Sequence, residues 1–507
     1  MQNTDGAAYL NGQTGLGQTP ATRPPLRLLP GVIIAIVGAL IGYGLPRITS
    51  DDELFGLPLG MISVLGGFLA ALLIVLWWMF FSRAQWIERI GAVGLMIVAL
   101  IATRFFAHES ITGAGMGMLL YFSAIPGLSL ALVVWAVATQ RLSNNLTRRV
   151  SLVAAILLAC LPWMLLRTAG MMGAGSEYHW RWTPTPEQQL LAQTPDELKP
   201  LPPSTPETTT ESQPATAEAQ PTPDASPTAT PESAAAPTTE LRADWPSFRG
   251  AKRDGVVRGL QIKTDWATSP PVEVWRKPIG PGWSSFAVRG DLLYTQEQRG
   301  NDEIVGCYKV STGEPMWRHK DAVRFYESNA GAGPRATPTL SKNRVYAFGA
   351  TGILNALDAA SGKTVWSRNV STDTDRKPPE WGFASSPLVT DDLVIVAAAG
   401  TLAAYNLADG KLRWKGPSYD GSYSSPHRAT IDGVSQILLL GGPGAISVAP
   451  ADGAVLWEHK WESGAIVQPA LLANGDIVIN ALAVSGGLGT RRLAVKRDAD
   501  KWAVEER

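Results

Sequence analysis

The sequence predicts two folds in one chain: an all-β propeller of four-stranded blades in the C-terminal half, preceded by an all-α transmembrane bundle. Two observations predict them. A Gly-x-x-x-Trp signature recurs at Gly313/Trp317, Gly362/Trp366, Gly410/Trp414 and Gly453/Trp457, with successive tryptophans 49, 48 and 43 residues apart. Periods of roughly 40 to 50 residues, built from short strands and Asn, Asp and Gly turns, are those of propeller blades. Upstream, five apolar stretches are long enough, or nearly long enough, to cross a hydrocarbon core about 30 Å thick as helices.

The five stretches are Leu28 to Leu45, Leu57 to Phe81, Ile90 to Phe106, Met116 to Ala138 and Val150 to Leu166, within a membrane domain spanning 28–170. Leu57 to Phe81 holds 25 residues without a charge, which a water-soluble bundle has no need of. Lys and Arg are retained on the cytoplasmic side. Arg23, Arg27, Arg83, Arg89, Arg141, Arg148 and Arg149 all fall on one side, which places the N-terminal tail (1–27) in the cytoplasm and everything after residue 170 outside. No small-residue cleavage site follows the first stretch, so it reads as an uncleaved anchor. Arg104 lies near the outer end of its span, where a long side chain snorkels to the interface.

Residues 183–241 are rich in Pro, Thr, Ala, Ser and Glu, with Lys199 the one basic residue. Such a composition cannot bury enough apolar area to offset the entropy of ordering, which predicts a disordered tether. The propeller follows over 244–507. The 44 basic and 44 acidic residues of the whole chain balance, which removes the electrostatic argument for a nucleic-acid partner. Cys160 and Cys307 sit in different segments and offer neither a disulfide framework nor a thiolate metal site.

Within each repeat, ASSPLVTDD, LVIVAAAG, TLAAYNLADG and KLRWKG read as strands one to four of a blade. Comparable openings occur at SSFAVRGD, RATPTLSKN, SSPHRATIDG and VQPALLANGD. The signature glycine supplies a positive φ at the turn before the outer strand. The tryptophan then fills the gap between neighbouring blades, its indole N–H free to reach a backbone carbonyl. Trp275 and Trp502 continue the spacing on either side without the glycine.

These repeats resemble the tryptophan-docking motif of the pyrroloquinoline-quinone-like (PQQ-like) propeller family over about residues 244 to 507, and DWPSFRGAKRDGV resembles the opening segment of that family's members. The family includes quinoprotein alcohol and glucose dehydrogenases as well as the non-catalytic lipoprotein of the bacterial barrel-assembly machinery. The resemblance therefore implies architecture more strongly than activity. It implies a bacterial inner-membrane protein with an extracytoplasmic, periplasmic propeller. The preferred reading is a scaffold for protein or peptide partners without catalysis, anchored in the lipid bilayer. The alternative is a membrane quinoprotein dehydrogenase of the glucose dehydrogenase type, which shares the layout of five spans followed by a propeller. Only that alternative calls for PQQ and Ca²⁺. The adjacent cysteine pair of the alcohol dehydrogenases is absent, since Cys307 is the one cysteine of the propeller.

A ligand or partner site draws on loops that enter each inner strand at the channel mouth. The candidates are Trp283 with Ser284, Glu327 and Arg335, Trp381, Tyr423 with His427, and Gln468. Arg335 is the side chain suited to a bidentate contact with a carboxylate or quinone oxygen. The Gly-rich pieces at 441 and 485 have no following helix and are not phosphate loops, and the five histidines show no metal-ligand spacing. Finally, Val272 to Trp275 reads as the outer strand of a blade whose inner strands are missing. Five complete blades follow it, so an incomplete ring and a chain truncated at its C-terminus are expected.

Overall fold

A computed structural model describes residues 26–45, 53–54, 57–142, 144–172, 175–193, 243–461, 467–480, 489–499 and 501–507. The N-terminal tail through residue 25 and the Pro/Thr/Ser-rich stretch 194–242 lie outside the described residues. The chain divides into two compact units, 1–183 and 184–507.

In the first unit, apolar sequence becomes helix because backbone groups facing a hydrocarbon environment must be satisfied within their own segment. The helices are α1 (Leu29–Ala39), α2 (Leu59–Leu76), α3 (Trp86–Phe106), α4 (Leu119–Ala138) and α5 (Asn145–Leu165), with one wide π turn after α1 (Leu40–Gly44) and another after α2 (Trp77–Phe81). Four helices, Leu59–Phe81, Trp86–Phe106, Leu119–Ala138 and Asn145–Leu165, are long and apolar enough to cross a membrane. Leu29–Gly42 is a shorter apolar helix, and helical backbone continues beyond it through the π turn to Gly44. Leu65, Leu69, Leu72, Ile97, Val98 and Ile101 face outward, an apolar exterior that water would not favour.

Inside the bundle, small residues allow close approach. A Cβ on Gly31 would lie 2.6 Å from the Trp77 ring. Arg148, read as a loop charge, lies within α5, where it is buried against Glu88 (3.6 Å) and stacks on Trp135. Arg104 is exposed and donates to the Tyr121 hydroxyl at 3.0 Å. After α5 the chain forms a hairpin, Leu166–Met172 with Gly175–Trp180.

In the second unit, five antiparallel four-stranded sheets are present among the described residues. Blade 1 comprises β1 (Ala287–Arg289), β2 (Leu292–Arg299), β3 (Asp302–Lys309) and β4 (Pro315–Asp321). Blade 2 comprises β5 (Thr339–Ser341), β6 (Arg344–Phe348), β7 (Ile353–Asp358) and β8 (Thr364–Asn369). Blade 3 comprises β9 (Leu388–Thr390), β10 (Leu393–Ala398), β11 (Thr401–Asn406) and β12 (Leu412–Ser418). Blade 4 comprises β13 (His427–Ile431), β14 (Val434–Gly441), β15 (Gly444–Val448) and β16 (Val455–Lys460). Blade 5 comprises β17 (Ala470–Leu471), β18 (Ile477–Asn480), β19 (Thr490–Asp498) and β20 (Lys501–Glu506). The middle strands are buried on both faces, as packed blades require, and the core is the set of seams between blades.

Each signature tryptophan in blades 1 to 4 pairs across the sheet with a small residue: Cys307 with Trp317, Ala356 with Trp366, Ala404 with Trp414 and Ser447 with Trp457. The register shifts immediately beyond that pair in all four blades, a bulge that re-aims the outer strand. Trp317 and Trp366 then donate to Ala359 O (3.0 Å) and Leu407 O (3.0 Å) of the next blade, and Trp414 donates to Pro450 O (2.9 Å). The glycine of the following blade gives room for the ring. Gly410 and Gly453 have φ of 69° and 73°, and a Cβ on either would sit 2.6 Å from the tryptophan packed on it. Gly313 and Gly362 meet Trp275 and Trp317 in the same way. Trp457 differs, donating to the Gln436 side chain of its own blade at 2.7 Å. Trp502 pairs with Arg497 rather than a small residue and stacks with its guanidinium.

Two expectations are corrected here. Val272 to Trp275 forms no strand among the described residues, yet Trp275 still packs on Gly313 and donates to Val310 O at 2.8 Å. The predicted tether does not begin at 183. Pro186–Ala192 forms a helix (α6) with a capping box between Thr185 and Gln188. Its Glu187 accepts from Gly300 N (2.9 Å) and from both terminal nitrogens of Arg324 (2.7 and 2.9 Å), which fastens α6 to blade 1.

Candidate functional site

The innermost strands begin at equivalent positions, and those positions interlock. Ser285 N donates to Thr337 Oγ1 (3.1 Å), Thr337 N to Ser386 Oγ (3.0 Å) and Ser386 N to Ser425 Oγ (2.9 Å). A hydroxyl belt thus runs from the Ser285 amide of blade 1 through blades 2 to 4, each hydroxyl supplied by the residue two before an inner strand. In the loop leading to blade 5 the equivalent residue is Gln468.

Gln468 does not extend the belt. Its Nε2 donates to Arg253 O at 2.6 Å, and its Oε1 accepts from Arg253 Nε at 3.4 Å. The remaining nitrogens of Arg253 donate to Pro387 O (3.0 Å) and Ser386 O (3.1 Å). This side chain belongs to the opening segment, which also pairs Trp245 with Val288 of β1 and offers Pro246 O to Leu340 N of β5 at 2.7 Å. One segment therefore touches blades 1, 2 and 3 and the loop into blade 5. No carboxylate is among these partners of Arg253, and burial pushes its pKa down to about 10. His427, at the start of β13, is also buried. Burial lowers its pKa, the Nδ1 contact with Arg428 O (3.0 Å) opposes this, and the Arg253 and Arg249 charges lower it further.

Five other candidates form a second, linked group. Arg335 donates to Glu327 Oε1 (3.2 Å), Gly331 O (2.8 Å), Ala332 O (3.3 Å) and Trp381 O (3.1 Å), and stacks on Phe325. Glu327 also accepts from Asn329 N (2.7 Å) and Ala330 N (2.6 Å). Trp381 stacks on Tyr423 with ring centroids 5.0 Å apart, and the Tyr423 hydroxyl accepts from Trp381 N at 3.3 Å. Trp283 anchors the near side, its Nε1 donating to Ala330 O and its backbone N–H to Pro334 O, both at 2.8 Å. Trp283 itself is 59% exposed. Ser284 Oγ accepts from Gln296 N at 3.2 Å. Burial lowers the pKa of Arg335 and raises that of Tyr423.

The structure therefore brings Trp283, Glu327, Arg335, Trp381 and Tyr423 together and turns His427 and Gln468 toward Arg253. Arg253 and the hydroxyl belt were not singled out in the sequence. The Ser/Thr-before-Pro openings at 337, 386 and 425 carried the belt's signal, whereas Arg253 offered only its place in a Gly-flanked segment.

The donors in this group do not fit a quinone held with Ca²⁺. Ca²⁺ takes six to eight oxygens, usually from several carboxylates. Here Glu327, the one carboxylate among these candidates, is already engaged by Arg335 and two amides. What the arrangement can do is present a rigid aromatic and hydrogen-bonding face.

The family model described as outer membrane protein assembly factor BamB matches residues 267–427 and 301–505. BamB of Shewanella oneidensis is 28% identical over 159 residues, covering 29% of this chain and 37% of the relative. BamB of Yersinia pestis is 25% identical over 153 residues, covering 28% and 36%. The chain thus spans little more than a third of the length of these curated relatives. Among solved structures, BamB from Moraxella catarrhalis aligns with 45% of this chain and 84% of its own at 18% identity and a TM-score of 0.27. Quinohemoprotein alcohol dehydrogenase from Comamonas testosteroni aligns with 45% and 40% at 17% identity and a TM-score of 0.29. The C-terminal part of the chain is a BamB-like, PQQ-like β-propeller repeat domain, and four helices upstream of it are candidate membrane spans.

Proposed function

We propose that this protein is a membrane-anchored, extracytoplasmic propeller that binds protein or peptide partners as an assembly scaffold and has no chemistry of its own. The observation that carries this reading is the state of the loops before the inner strands. Arg253 is buried against backbone carbonyls, Arg335 and Glu327 satisfy each other, and Trp283 stays exposed beside the half-buried stack of Trp381 on Tyr423. Exposed, immobilised aromatics are the side chains that dominate protein interfaces. The assembly role in the relatives' name supports the same reading, as does the bias of Arg23, Arg27, Arg83 and Arg141 toward one side of the membrane.

The test uses the full chain. A photo-crosslinker at Trp283 in intact cells is expected to capture the same discrete polypeptides in repeated trials, with yields falling when Trp381→Ala and Tyr423→Ala are combined. If the purified full chain with PQQ and Ca²⁺ instead reduces dye with a sugar or alcohol, and Arg335→Ala removes that activity, the scaffold reading is wrong.

A further inference from the structure

At the seam between blades 1 and 2, three oxygen atoms are buried without a hydrogen-bond partner: Oε2 of Glu303, Oδ1 of Asn355 and Oγ1 of Thr351. Glu303 is 3% exposed and Asn355 2%. A buried acceptor left unmatched is costly, so three along one seam require an explanation.

Their surroundings are organised. Glu303 on β3 lies directly across from Asp321 on β4, so both carboxylates leave blade 1 toward the same hairpin of blade 2. Glu303 Oε1 accepts from Ala350 N (2.9 Å) in the turn between β6 and β7, and Asp321 Oδ2 accepts from Asn355 Nδ2 (2.6 Å) on β7. Thr351 is in that turn. Gly349 completes it, since a Cβ there would collide with Glu303 Oε2. No Lys or Arg within salt-bridge distance of Glu303 is found among the described residues. Arg335 acts on it only at a distance, and His319 Nε2 lies 3.4 Å from Asp321 Oδ1. Burial, with Asp321 adding to it, pushes Glu303 up to about 7.

We propose that this seam binds a hard divalent cation, with Ca²⁺ the best match, held by the carboxylates of Glu303 and Asp321 together with the Asn355 amide and Thr351 hydroxyl oxygens. All four are oxygen donors, which selects Ca²⁺ or Mg²⁺ over Zn²⁺ or copper, and the varied reach of the donors suits the tolerant geometry of Ca²⁺. Two carboxylates neutralise the ion. Asp321, whose side chain is 18% exposed, gives it a way in. The site is separate from the Glu327 and Arg335 group and independent of the scaffold reading.

The test is Ca²⁺ titration of the EGTA-treated full chain in detergent, read by calorimetry and by the unfolding midpoint. One saturable site is expected, with a midpoint that rises with Ca²⁺. Glu303→Gln, a neutral isostere that keeps the Ala350 contact, should fold by circular dichroism yet bind at least about tenfold more weakly. Asp321→Asn should behave alike. If the wild type binds no Ca²⁺, or if Glu303→Gln binds it equally well, the proposal is overturned. A midpoint that follows pH and ignores Ca²⁺ also overturns it, by assigning a proton to Glu303.

Discussion

Gln468 grips Arg253 at two points, donating from Nε2 to its carbonyl and accepting at Oε1 from its Nε. The pair joins the opening segment to the loop that leads into blade 5. Because the Arg253 guanidinium also serves the carbonyls of Ser386 and Pro387, removing it strands three buried acceptors together. Arg253→Met, which keeps the apolar stem, is expected to destabilise the propeller by about 1–3 kcal/mol. Arg253→Lys should recover only part of this, since a point ammonium cannot span a fork of acceptors. Chemical unfolding of the full chain measures both, and an unchanged midpoint for Arg253→Met would refute the account.

The glycine and tryptophan seams allow two effects to be separated. Gly410 and Gly433 both have positive φ, 69° and 79°, but only Gly410 packs under a tryptophan, while a Cβ at Gly433 would meet nothing within 4 Å. Gly433→Ala should therefore cost only the left-handed backbone strain, about 1–2 kcal/mol. Gly410→Ala adds overpacking against Trp366, for a total of about 2–5 kcal/mol. Equal losses in thermal unfolding would mean that the ring adjusts freely.

That contrast also explains what was legible in the sequence. The blades were readable because the signals that make them, a positive-φ glycine and a tryptophan four residues later, act within one hairpin and repeat. Arg253 was not readable, because its partners lie 133, 134 and 215 residues away and nothing periodic marks them. Helix α6 was hidden differently. Its capping box, Thr185 with Gln188, is local and visible, but it opens a long Pro/Thr/Ser-rich stretch whose composition outweighed it. At the channel mouth, loop position nominated the residues, but their division between Arg253 and Arg335 depends on contacts between blades.

His427 supplies a pH dependence. Its pKa is lowered in the folded state, chiefly by burial and further by Arg253 and Arg249, with the Nδ1 contact to Arg428 O and the Asp254 charge opposing. A histidine with a depressed folded pKa binds fewer protons folded than unfolded between the two pKa values. Its contribution is thus fully present above the ordinary value of 6.5 and declines as pH falls from there toward the folded value. Between pH 7.5 and pH 5.5 the unfolding midpoint of the wild type should fall relative to that of His427→Gln. An identical slope in the variant would remove His427 as the cause.

Helix α6 is fastened to blade 1 through Glu187 and should be separable from it. Glu187 is mostly buried where it meets Arg324 and Gly300 N, so Glu187→Ala removes a bidentate pair and the acceptor for a backbone amide. Seven residues are too few to hold a helix without tertiary support. Amide exchange across residues 187–192 should accelerate in Glu187→Ala, while exchange in the middle strands β2 and β3 stays unchanged. The overall unfolding midpoint should move little, since a pair at this edge is worth at most about 1 kcal/mol. If exchange in α6 stays slow in the variant, the helix is held by its apolar contact, Leu191 beside Gly300, rather than by Glu187.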